Sequence, residues 1–455
     1  MLATPEVPAM AARALSPSVL RPVRRLAGEV VLPSDKSIAH RALIFCALAA
    51  GDSTIRLRQP GADVRSTIAA LASLGVPVAL VESDAGLLVS VGGLGEEGAL
   101  GRLAGGQADC GNSGTTMRLL TGALASGRGR AVLSGDSSLG SRPMERVAGP
   151  LRAMGALIET ADGHAPLQID GRWPLRAGGH ELPMASAQVL GAICLAALAA
   201  DGVTTVRVPG PTRDHTERML RGMGALVERQ ALAGGGSVTT VHGPAELGAV
   251  TMQVPADFSS TAAWIVAAAI HPDAEVRLPA VGLNPTRTAL LDLLREMGAD
   301  IDITSETDAG GEPVGDVQVR SCGRLRAVSV GPELVPALID ELPLIAVAMA
   351  AADGTSEVRG ATELRLKESD RISAMSAALT GAGARVEELS DGWRISPGRP
   401  ADAHVATLGD HRIAMAMAVA AWSGLAQSVS LDETDSVAVS YPSFWTDAAA
   451  LGALA

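Results

Sequence analysis

The chain has 455 residues, of which 47% are hydrophobic and only 2% aromatic. It is too long for one ordinary hydrophobic core, so we expect about two domains with cores built mainly from Ala, Val, Leu and Ile. The net charge of −12 argues against broad binding to nucleic acids or anionic membranes, and any anionic ligand must be held by local basic clusters.

The first predicted elements are an N-terminal extension and a buried helix. Residues up to about Arg25 are rich in Ala, Pro and Arg, lack the hydrophobic region of a secretory signal, and are predicted to be flexible. SDKSIAHRALIFCALAAG then opens with polar residues suited to an N-cap and continues apolar on nearly all faces. Such a helix is buried, because a surface helix would show a polar stripe.

Five further helices of this buried type follow along the chain. They begin with GNSGTTMR, MASAQVLG, ADFSSTAA, IDELPLIA and GDHRIAMA. The N-terminus of each carries about half a positive charge and unpaired backbone N–H groups. These helix starts are therefore natural anion sites, and polar motifs stand at each of them.

A second helix type is predicted between the buried ones. It ends in a Leu-x-x-x-Gly pattern at Gly75, Gly155, Gly224, Gly298 and Gly383, with a weaker sixth copy at Gly452. Each glycine is predicted to end its helix in the left-handed conformation. Strands are predicted in STIRLR, RAVLSG, TTVRVP and AEVRLP. The pattern predicts six two-helix α/β units, three in each domain.

Cysteine usage and hydropathy exclude further classes of protein. The cysteines Cys46, Cys110, Cys194 and Cys322 lack the spacing of a zinc site or a disulfide framework, so we expect free thiols in a reducing cytoplasm. No stretch reaches the roughly 18 consecutive apolar residues of a transmembrane helix. We therefore expect a cytoplasmic location.

Lysine is almost absent from the chain. It occurs only at Lys36 and Lys367, so 35 of the 37 basic residues are arginine. Both lysines stand in dense polar clusters, PSDKSIAHR and LRLKESDR. In such a chain a surviving lysine indicates a site that needs a compact ammonium group rather than a planar guanidinium.

Other polar motifs leave two interpretations open. GNSGTTMR could cradle a phosphate or carboxylate, or could be an ordinary loop. SAQ, residues 186–188, could bind a hydroxylated ligand, although Ser186 could simply cap its helix. Asp340 and Glu341 in IDELP suit the helix dipole, and the alternative is a general base adjusted by a nearby lysine and partial burial.

Nine motifs in order resemble those of the enolpyruvyl transferases. They are PSDKSIAHR, GNSGTTMR, SRPM, SAQ, RDHTER, DFSS, IDELP, LRLKESDR and DHR, between residues 33 and 412. The resemblance implies a two-domain inside-out α/β barrel of six βαβαββ-type units with buried helices. Domain one would comprise residues 1–34 plus 255–455 and domain two residues 35–254, with the active site in the cleft between them.

The resemblance also implies a reaction. The chain would transfer the enolpyruvyl group of phosphoenolpyruvate to the 5-hydroxyl of shikimate 3-phosphate, in aromatic amino acid biosynthesis, and release phosphate. We expect a monomer with no metal or organic cofactor and no nucleic-acid or membrane partner. Two alternatives stay open: a related transferase acting on UDP-N-acetylglucosamine, which uses a reactive loop cysteine, and a non-catalytic anion-binding protein of the same fold.

The site residues carried over from the family fall into three groups. The catalytic residues are Lys36 between both ligands, Asp340 as base toward the hydroxyl, and Glu368 as proton donor to the methylene carbon. The residues implied for shikimate 3-phosphate are Lys36, Ser37, Arg41, Ser186, Ala187, Gln188, Arg213, Asp340 and Lys367. Those implied for phosphoenolpyruvate are Lys36, Asn112, Gly114, Arg142, Gln188, Arg371 and Arg412.

Three positions bear on how far the family pattern extends. Val439 stands where some members carry a lysine that reaches the phosphate of phosphoenolpyruvate. Glu363 stands where some members carry an asparagine near the phosphate of the acceptor. Gly114 keeps the small residue associated with sensitivity to the inhibitor glyphosate, and from it we hypothesise that this protein is sensitive.

Overall fold

The computed structural model describes residues 17–454. Its strands are β1 (Val19–Leu20), β2 (Leu26–Glu29), β3 (Asp52–Leu57), β4 (Val78–Ser83), β5 (Gly86–Gly92), β6 (Ala104–Asp109), β7 (Arg128–Ser134), β8 (Leu157–Ala161), β9 (His164–Asp170), β10 (Leu175–Arg176), β11 (Gly179–Glu181), β12 (Ala200–Val208), β13 (Val227–Ala231), β14 (Ser237–Gly243), β15 (Thr251–Gln253), β16 (Ala274–Gly282), β17 (Asp300–Ala309), β18 (Glu312–Arg320), β19 (Ser329–Val330), β20 (Ser356–Val358), β21 (Arg385–Leu389), β22 (Gly392–Ser396), β23 (Asp402–Val405) and β24 (Ser428–Leu431). Its helices are α1 (Lys36–Leu48), α2 (Ala62–Ser73), α3 (Gly114–Leu124), α4 (Ser137–Gly140), α5 (Glu145–Ala153), α6 (Ala187–Ala197), α7 (His215–Gly222), α8 (Phe258–Ile270), α9 (Ala289–Met297), α10 (Val335–Leu338), α11 (Leu342–Ala351), α12 (Arg371–Gly381), α13 (His411–Trp422) and α14 (Phe444–Ala450). Short 3₁₀ helices span Thr362–Leu366 and Asp435–Val439.

The strands of residues 17–454 form six sheets of three to five strands. Five of these sheets share one arrangement, a parallel pairing followed by two antiparallel ones, as in β6-β7-β9-β8. The remaining sheet, β1-β24-β23, joins the two ends of the described chain. The four strand sequences named above lie in β3, β7, β12 and β16. The predicted α/β class and these four strand predictions are confirmed.

The predicted flexible extension is wrong in part. Residues 1–16 of that extension lie outside the described residues. Beyond them, Val19 and Leu20 form β1, which pairs antiparallel with β24. Leu20 is only 2% exposed. Strand pairing and burial therefore order the chain before Arg25, where the sequence alone shows too short an apolar segment to predict a strand.

The buried helices are α1, α3, α6, α8, α11 and α13, whose residues beyond the first turn are almost all buried. Five of the six have an N-cap side chain that accepts a backbone N–H bond: Asp35, Ser113, Ser186, Asp257 and Asp410. The sixth, α11, follows Glu341, whose side chain makes no such bond. The small residues allow close packing. A Cβ added to Gly122 of α3 would lie 2.6 Å from the Cα of Ala192 in α6.

The second helix type ends as predicted. The six glycines Gly75, Gly155, Gly224, Gly298, Gly383 and Gly452 have φ angles between +80° and +105°. Residues with a Cβ rarely adopt this conformation, so glycine is the natural choice where the chain leaves a helix and turns into a strand. The prediction of left-handed helix ends is confirmed at each of these positions.

The buried hydrophobic side chains of residues 17–454 form two clusters. The terminal core draws on residues 20–32 and 256–453, and the central core on residues 38–254. The chain passes between the cores at residues 33–35 and 254–257, and these segments lie side by side. Asp35 N–H donates to Pro255 O at 2.8 Å, and Asp257 N–H donates to Pro33 O at 2.9 Å. The division into domains at residues 34–35 and 254–255 stays a prediction.

Three further properties of the described residues bear on the predictions made from the sequence. No helix between residues 17 and 454 combines the length and the apolarity that crossing a membrane requires. The cysteines are free thiols: Cys46, Cys110 and Cys194 are buried and Cys322 is half-buried. Within the same residues, no three or more His, Cys, Asp or Glu side chains are grouped so that they could hold a metal ion.

Candidate active site

A polar cleft of about 320 Å³ lies where the terminal and central cores meet. It is lined by the first residues of buried helices from both cores, namely Lys36 of α1, Gly114 of α3, Gln188 of α6, Ser259 of α8 and Arg412 of α13. Because helix N-termini carry partial positive charge and free N–H groups, their convergence makes the cleft suited to anions.

The structure brings most of the predicted site residues to this cleft. Those on its wall are Lys36, Ser37, Gly114, Arg142, Gln188, Arg213, Asp340, Lys367, Glu368, Arg371 and Arg412. Ser186 and Ala187 lie instead on an adjoining cavity of about 590 Å³. Four of the predicted residues, Gln188, Arg213, Asp340 and Lys367, line both spaces. The two cavities therefore meet at one amide and three charged side chains.

Two predicted residues, Arg41 and Asn112, line neither cavity. Arg41 is 3% exposed. It donates from Nε to Thr216 Oγ1 at 2.8 Å and from Nη1 to Ser37 O at 2.9 Å. Asn112 Oδ1 accepts from Arg142 Nη2 at 2.6 Å. Arg41 thus holds the backbone at Ser37 and Asn112 orients Arg142, so both reach the cleft through a neighbour.

Both lysines line the cleft, and each has a carboxylate partner. Lys36 Nζ lies 3.2 Å from Asp63 Oδ2 on α2. Lys367 Nζ pairs with Glu363, which stands four residues earlier in the 3₁₀ helix. An anion that binds either ammonium group must therefore compete with an acid of the protein. Glu363, one of the positions that differs from some family members, is the partner of Lys367.

Asp340 lies just before α11 among several guanidinium groups. Its carboxylate pairs with Arg213, and Arg412 Nη1 donates to its backbone oxygen at 2.6 Å. Burial alone would raise the pKa of Asp340, but the charges of Arg412 and Arg213, with two further cationic side chains, hold that pKa well below its usual value. Asp340 is therefore ionised at neutral pH and can accept a proton.

Asp410, the N-cap of α13, fixes two of the predicted phosphoenolpyruvate ligands. Its Oδ2 accepts from Arg371 Nε at 2.8 Å, and its Oδ1 accepts from the backbone N–H of Arg412 at 2.9 Å. Arg371 is 1% exposed, and its Nη2 also lies 2.5 Å from Glu368 Oε2. The two arginines and Glu368 are thus parts of one hydrogen-bonded group at the cleft wall.

Arg118 lies outside the predicted set of site residues, although GNSGTTMR contains it. Arg118 stands one turn after Gly114 on the same face of α3, lines the cleft, and donates from Nη1 to Gln188 Oε1. Burial, followed by the charges of Arg146 and Arg142, lowers the pKa of Arg118 to about 10. The spacing of four residues from Gly114 is the signal that could have identified it.

The cleft wall also includes residues outside the predicted set, among them His411, Arg287 and Val439. Burial, followed by the charge of Arg412, lowers the pKa of His411 to about 4, so its imidazole is neutral at pH 7. Arg287 comes from the turn between β16 and α9. Val439 is 65% exposed and brings no charge to the wall where some family members carry a lysine.

The geometry does not favour the alternative that depends on a reactive cysteine. The nearest candidate for such a cysteine is Cys110, which immediately precedes GNSGTTMR. Its side chain is fully buried. Burial, followed by the neighbouring Asp109, raises the pKa of the Cys110 thiol to about 12. Because the thiolate is the nucleophilic form, this cysteine is unreactive at neutral pH.

Buried helix starts around a cleft of arginines and carboxylates agree with the resemblance to the enolpyruvyl transferases. An enolpyruvyl transferase from Streptomyces tendae shares the fold, with a TM-score of 0.69 and 19% identity over 95% of this chain and 97% of that one. A family model described as EPSP synthase (3-phosphoshikimate 1-carboxyvinyltransferase) matches residues 20–447. The chain belongs to this family.

Individual relatives agree with the family assignment. A 3-phosphoshikimate 1-carboxyvinyltransferase from Chloroflexus aggregans is 48% identical over 94% of this chain and 97% of the relative. Another from Synechococcus sp. (strain RCC307) is 46% identical, with the same two coverages. The solved EPSP synthase from Acinetobacter baumannii has a TM-score of 0.87 and 38% identity, covering 96% of this chain and 98% of that one. The protein is therefore a transferase, and the predicted family is confirmed.

Proposed function

We propose that this chain transfers the enolpyruvyl group of phosphoenolpyruvate to the 5-hydroxyl of shikimate 3-phosphate in the cleft between the two cores. This reaction is the shikimate-pathway step toward the aromatic amino acids. The observation that carries the proposal is that one cleft combines an ionised acid, Asp340, with Lys36 and paired arginines from both cores. In this proposal the side chains of the cleft carry out the whole reaction, with no metal ion and no organic cofactor.

Each substrate is assigned to a part of the cleft by its charge. Phosphoenolpyruvate lies against Arg142, Arg371 and Arg412, because guanidinium groups can bind carboxylate and phosphate through two parallel hydrogen bonds. Shikimate 3-phosphate lies toward the adjoining cavity, where Ser186 and Arg213 are found. Lys36, Ser37, Gln188 and Lys367 complete the set, together with Gly114 beside the phosphoenolpyruvate.

The reaction requires an addition followed by an elimination. The hydroxyl oxygen of shikimate 3-phosphate attacks C2 of phosphoenolpyruvate while Asp340 takes the hydroxyl proton. Glu368, which enters this step as the neutral carboxylic acid, protonates the methylene carbon. In the elimination the bond between C2 and the phosphate oxygen breaks. The methyl carbon returns a proton to Glu368, and the proton held by Asp340 leaves to solvent with the phosphate. Lys36 stabilises the negative charge of both substrates throughout.

The organisation of the protein is part of the proposal. We assign residues 1–34 plus 255–455 to one domain and residues 35–254 to the other, with the cleft between them. The separate terminal and central cores support this division. We further propose a cytoplasmic monomer without nucleic-acid or membrane partners, for which the net charge of −12 is the supporting observation.

Phosphate release from phosphoenolpyruvate tests the function directly. We expect release when shikimate 3-phosphate is the acceptor and none when UDP-N-acetylglucosamine replaces it. Release with the sugar nucleotide alone would assign the protein to the related transferase. Release with neither acceptor would favour a non-catalytic anion-binding protein.

Gly114→Ala is expected to raise KM for phosphoenolpyruvate about tenfold, the effect of losing roughly one good contact. A Cβ at this position would lie 2.8 Å from Arg118 Nη1 and 3.2 Å from Arg142 Nη1, so both guanidinium groups must shift. Steady-state kinetics measure the change, and Gly149→Ala, where a Cβ meets no atom within 4 Å, is the control.

We also expect glyphosate to inhibit the wild type. Unchanged activity at high glyphosate would contradict that hypothesis.

A further inference from the structure

Arg287 stands at the centre of a buried group of acids that the proposed chemistry does not use. Its side chain is 5% exposed. The nearest guanidinium nitrogens lie 3.6 Å from Asp35, 3.9 Å from Asp257 and 3.8 Å from Glu341. Asp35 and Glu341 are buried and Asp257 is half-buried. Without a cation these carboxylates would repel one another at high cost, so the charge of Arg287 offsets much of that repulsion.

These acids mark the starts of three buried helices. Asp35 caps α1 and belongs to the central side of the cleft, whereas Asp257 caps α8 and Glu341 precedes α11 on the terminal side. Asp257 Oδ2 also accepts the backbone N–H of Lys36 at 3.3 Å, across the two cores. The cation therefore sits where helix starts from both cores meet.

Hydrogen bonds fix the guanidinium of Arg287 relative to α11. Its Nη2 donates to Ser259 Oγ at 2.7 Å, and that hydroxyl donates to Glu341 Oε1 at 2.6 Å. Asp340 is the residue immediately before Glu341, and Lys36 is the residue immediately after Asp35. Arg287 thus holds the neighbour of each of two residues assigned to catalysis, one from each core.

We infer that Arg287 is a positioning residue, which sets the separation between Lys36 and Asp340 by binding the acids at the starts of α1, α8 and α11. The inference rests on the roles proposed above for Lys36 and Asp340. The guanidinium group of Arg287 is already paired with acids of the protein. Its direct contribution to substrate binding is therefore small. Its removal lowers turnover, because a displacement of about 1 Å at catalytic groups is costly.

Arg287 also acts on Asp340 through its charge. The charged groups that face Asp340 are Arg412, Arg213, Arg287, Lys367 and Glu341. Burial would raise the pKa of Asp340, and Arg287 is one of the cations that together hold it well below its usual value. Loss of this cation raises the pKa, so the base is protonated at higher pH and the acid limb of the kcat profile moves to higher pH.

The test is the pH dependence of kcat in Arg287→Gln, with Arg324→Gln as control. Arg324 pairs with Asp353 on the surface, with side chains 75% and 58% exposed, so we expect wild-type kinetics from its variant. For Arg287→Gln we expect kcat to fall about tenfold or more while KM for either substrate changes by less than about threefold. Arg287→Lys keeps the charge and is expected to restore the acid limb and part of kcat.

A folded Arg287→Gln protein with wild-type kcat and an unmoved acid limb would overturn the inference, even if it melts earlier. If this variant does not fold, the double change Arg287→Gln with Glu341→Gln removes one acid together with the cation and is expected to show the same loss of kcat. Wild-type turnover in Lys36→Met and Asp340→Asn would instead count against the proposed function. Loss of turnover in those two but not in Arg287→Gln would count against this inference alone.

Discussion

Asp340→Asn is expected to lower kcat by about 10² or more, because the amide keeps the volume of the side chain and removes the proton acceptor. The carboxylate of Asp340 is the ionised acid that the surrounding cations hold ready at neutral pH. Asparagine cannot take the hydroxyl proton of the acceptor. The loss should therefore appear in the chemical step rather than in binding of phosphoenolpyruvate.

The same change also weakens the hold on two cations. The carboxylate of Asp340 pairs with Arg213 and lies 3.9 Å from Arg412 Nη2. Without its charge both guanidinium groups lose an anionic partner and interact more strongly with bound anions, although Arg412 keeps its bond to the backbone oxygen of residue 340. KM for phosphoenolpyruvate should therefore stay constant or fall while kcat collapses. Asp353→Asn removes an acid of an exposed ion pair and is the matched control. Turnover of Asp340→Asn close to that of the wild type would remove Asp340 from the mechanism.

Lys36→Met is expected to lower kcat/KM by about 10² or more, because a single cation placed between two anionic substrates stabilises the charge that develops as they react. Lys36 Nζ is held 3.2 Å from Asp63, at the first residue of α1. Methionine keeps an unbranched apolar stem and lacks only the terminal ammonium group, so the fold should be retained. Steady-state kinetics with each substrate varied in turn measure the effect.

Lys36→Arg separates charge from shape. A guanidinium keeps the positive charge but is larger and planar, so we expect it to recover little of the lost activity. Arg65→Met is the control, because Arg65 stands on α2 beside Asp63 and pairs with Glu82 with a side chain 51% exposed. Full activity in Lys36→Arg would show that charge alone is required at this position.

Short sequence patterns are enough to predict much of the fold. Each helix-ending glycine is predictable from a pattern of five residues, because its left-handed conformation is a property of the glycine itself. The buried helices were likewise apparent, since they lack a polar stripe. β1 was missed because a two-residue strand has too little pattern to detect, and only its pairing with β24, some 400 residues away, defines it.

The features of the site likewise fall into those that local sequence predicts and those that depend on the folded structure. Lys36 and Lys367 were identified by their scarcity, and both line the cleft. The contacts of Arg371 with Asp410 and of Arg287 with Asp35 join residues far apart in the chain. No local pattern predicts such contacts, since they depend on how long side chains reach between helices. For the same reason the sequence could not reveal that Arg41 and Asn112 do not line the cleft themselves and instead contact Ser37 and Arg142, which do.

The position of both lysines in one cleft has a practical consequence for chemical labelling. The ε-amino groups of Lys36 and Lys367 are the only ones in the chain, so reagents selective for lysine amines modify the cleft and no other side chain. Tagging or immobilisation through lysine would inactivate the enzyme. The extent of such modification, followed by mass spectrometry, becomes a direct gauge of how much of the protein is occupied by substrate.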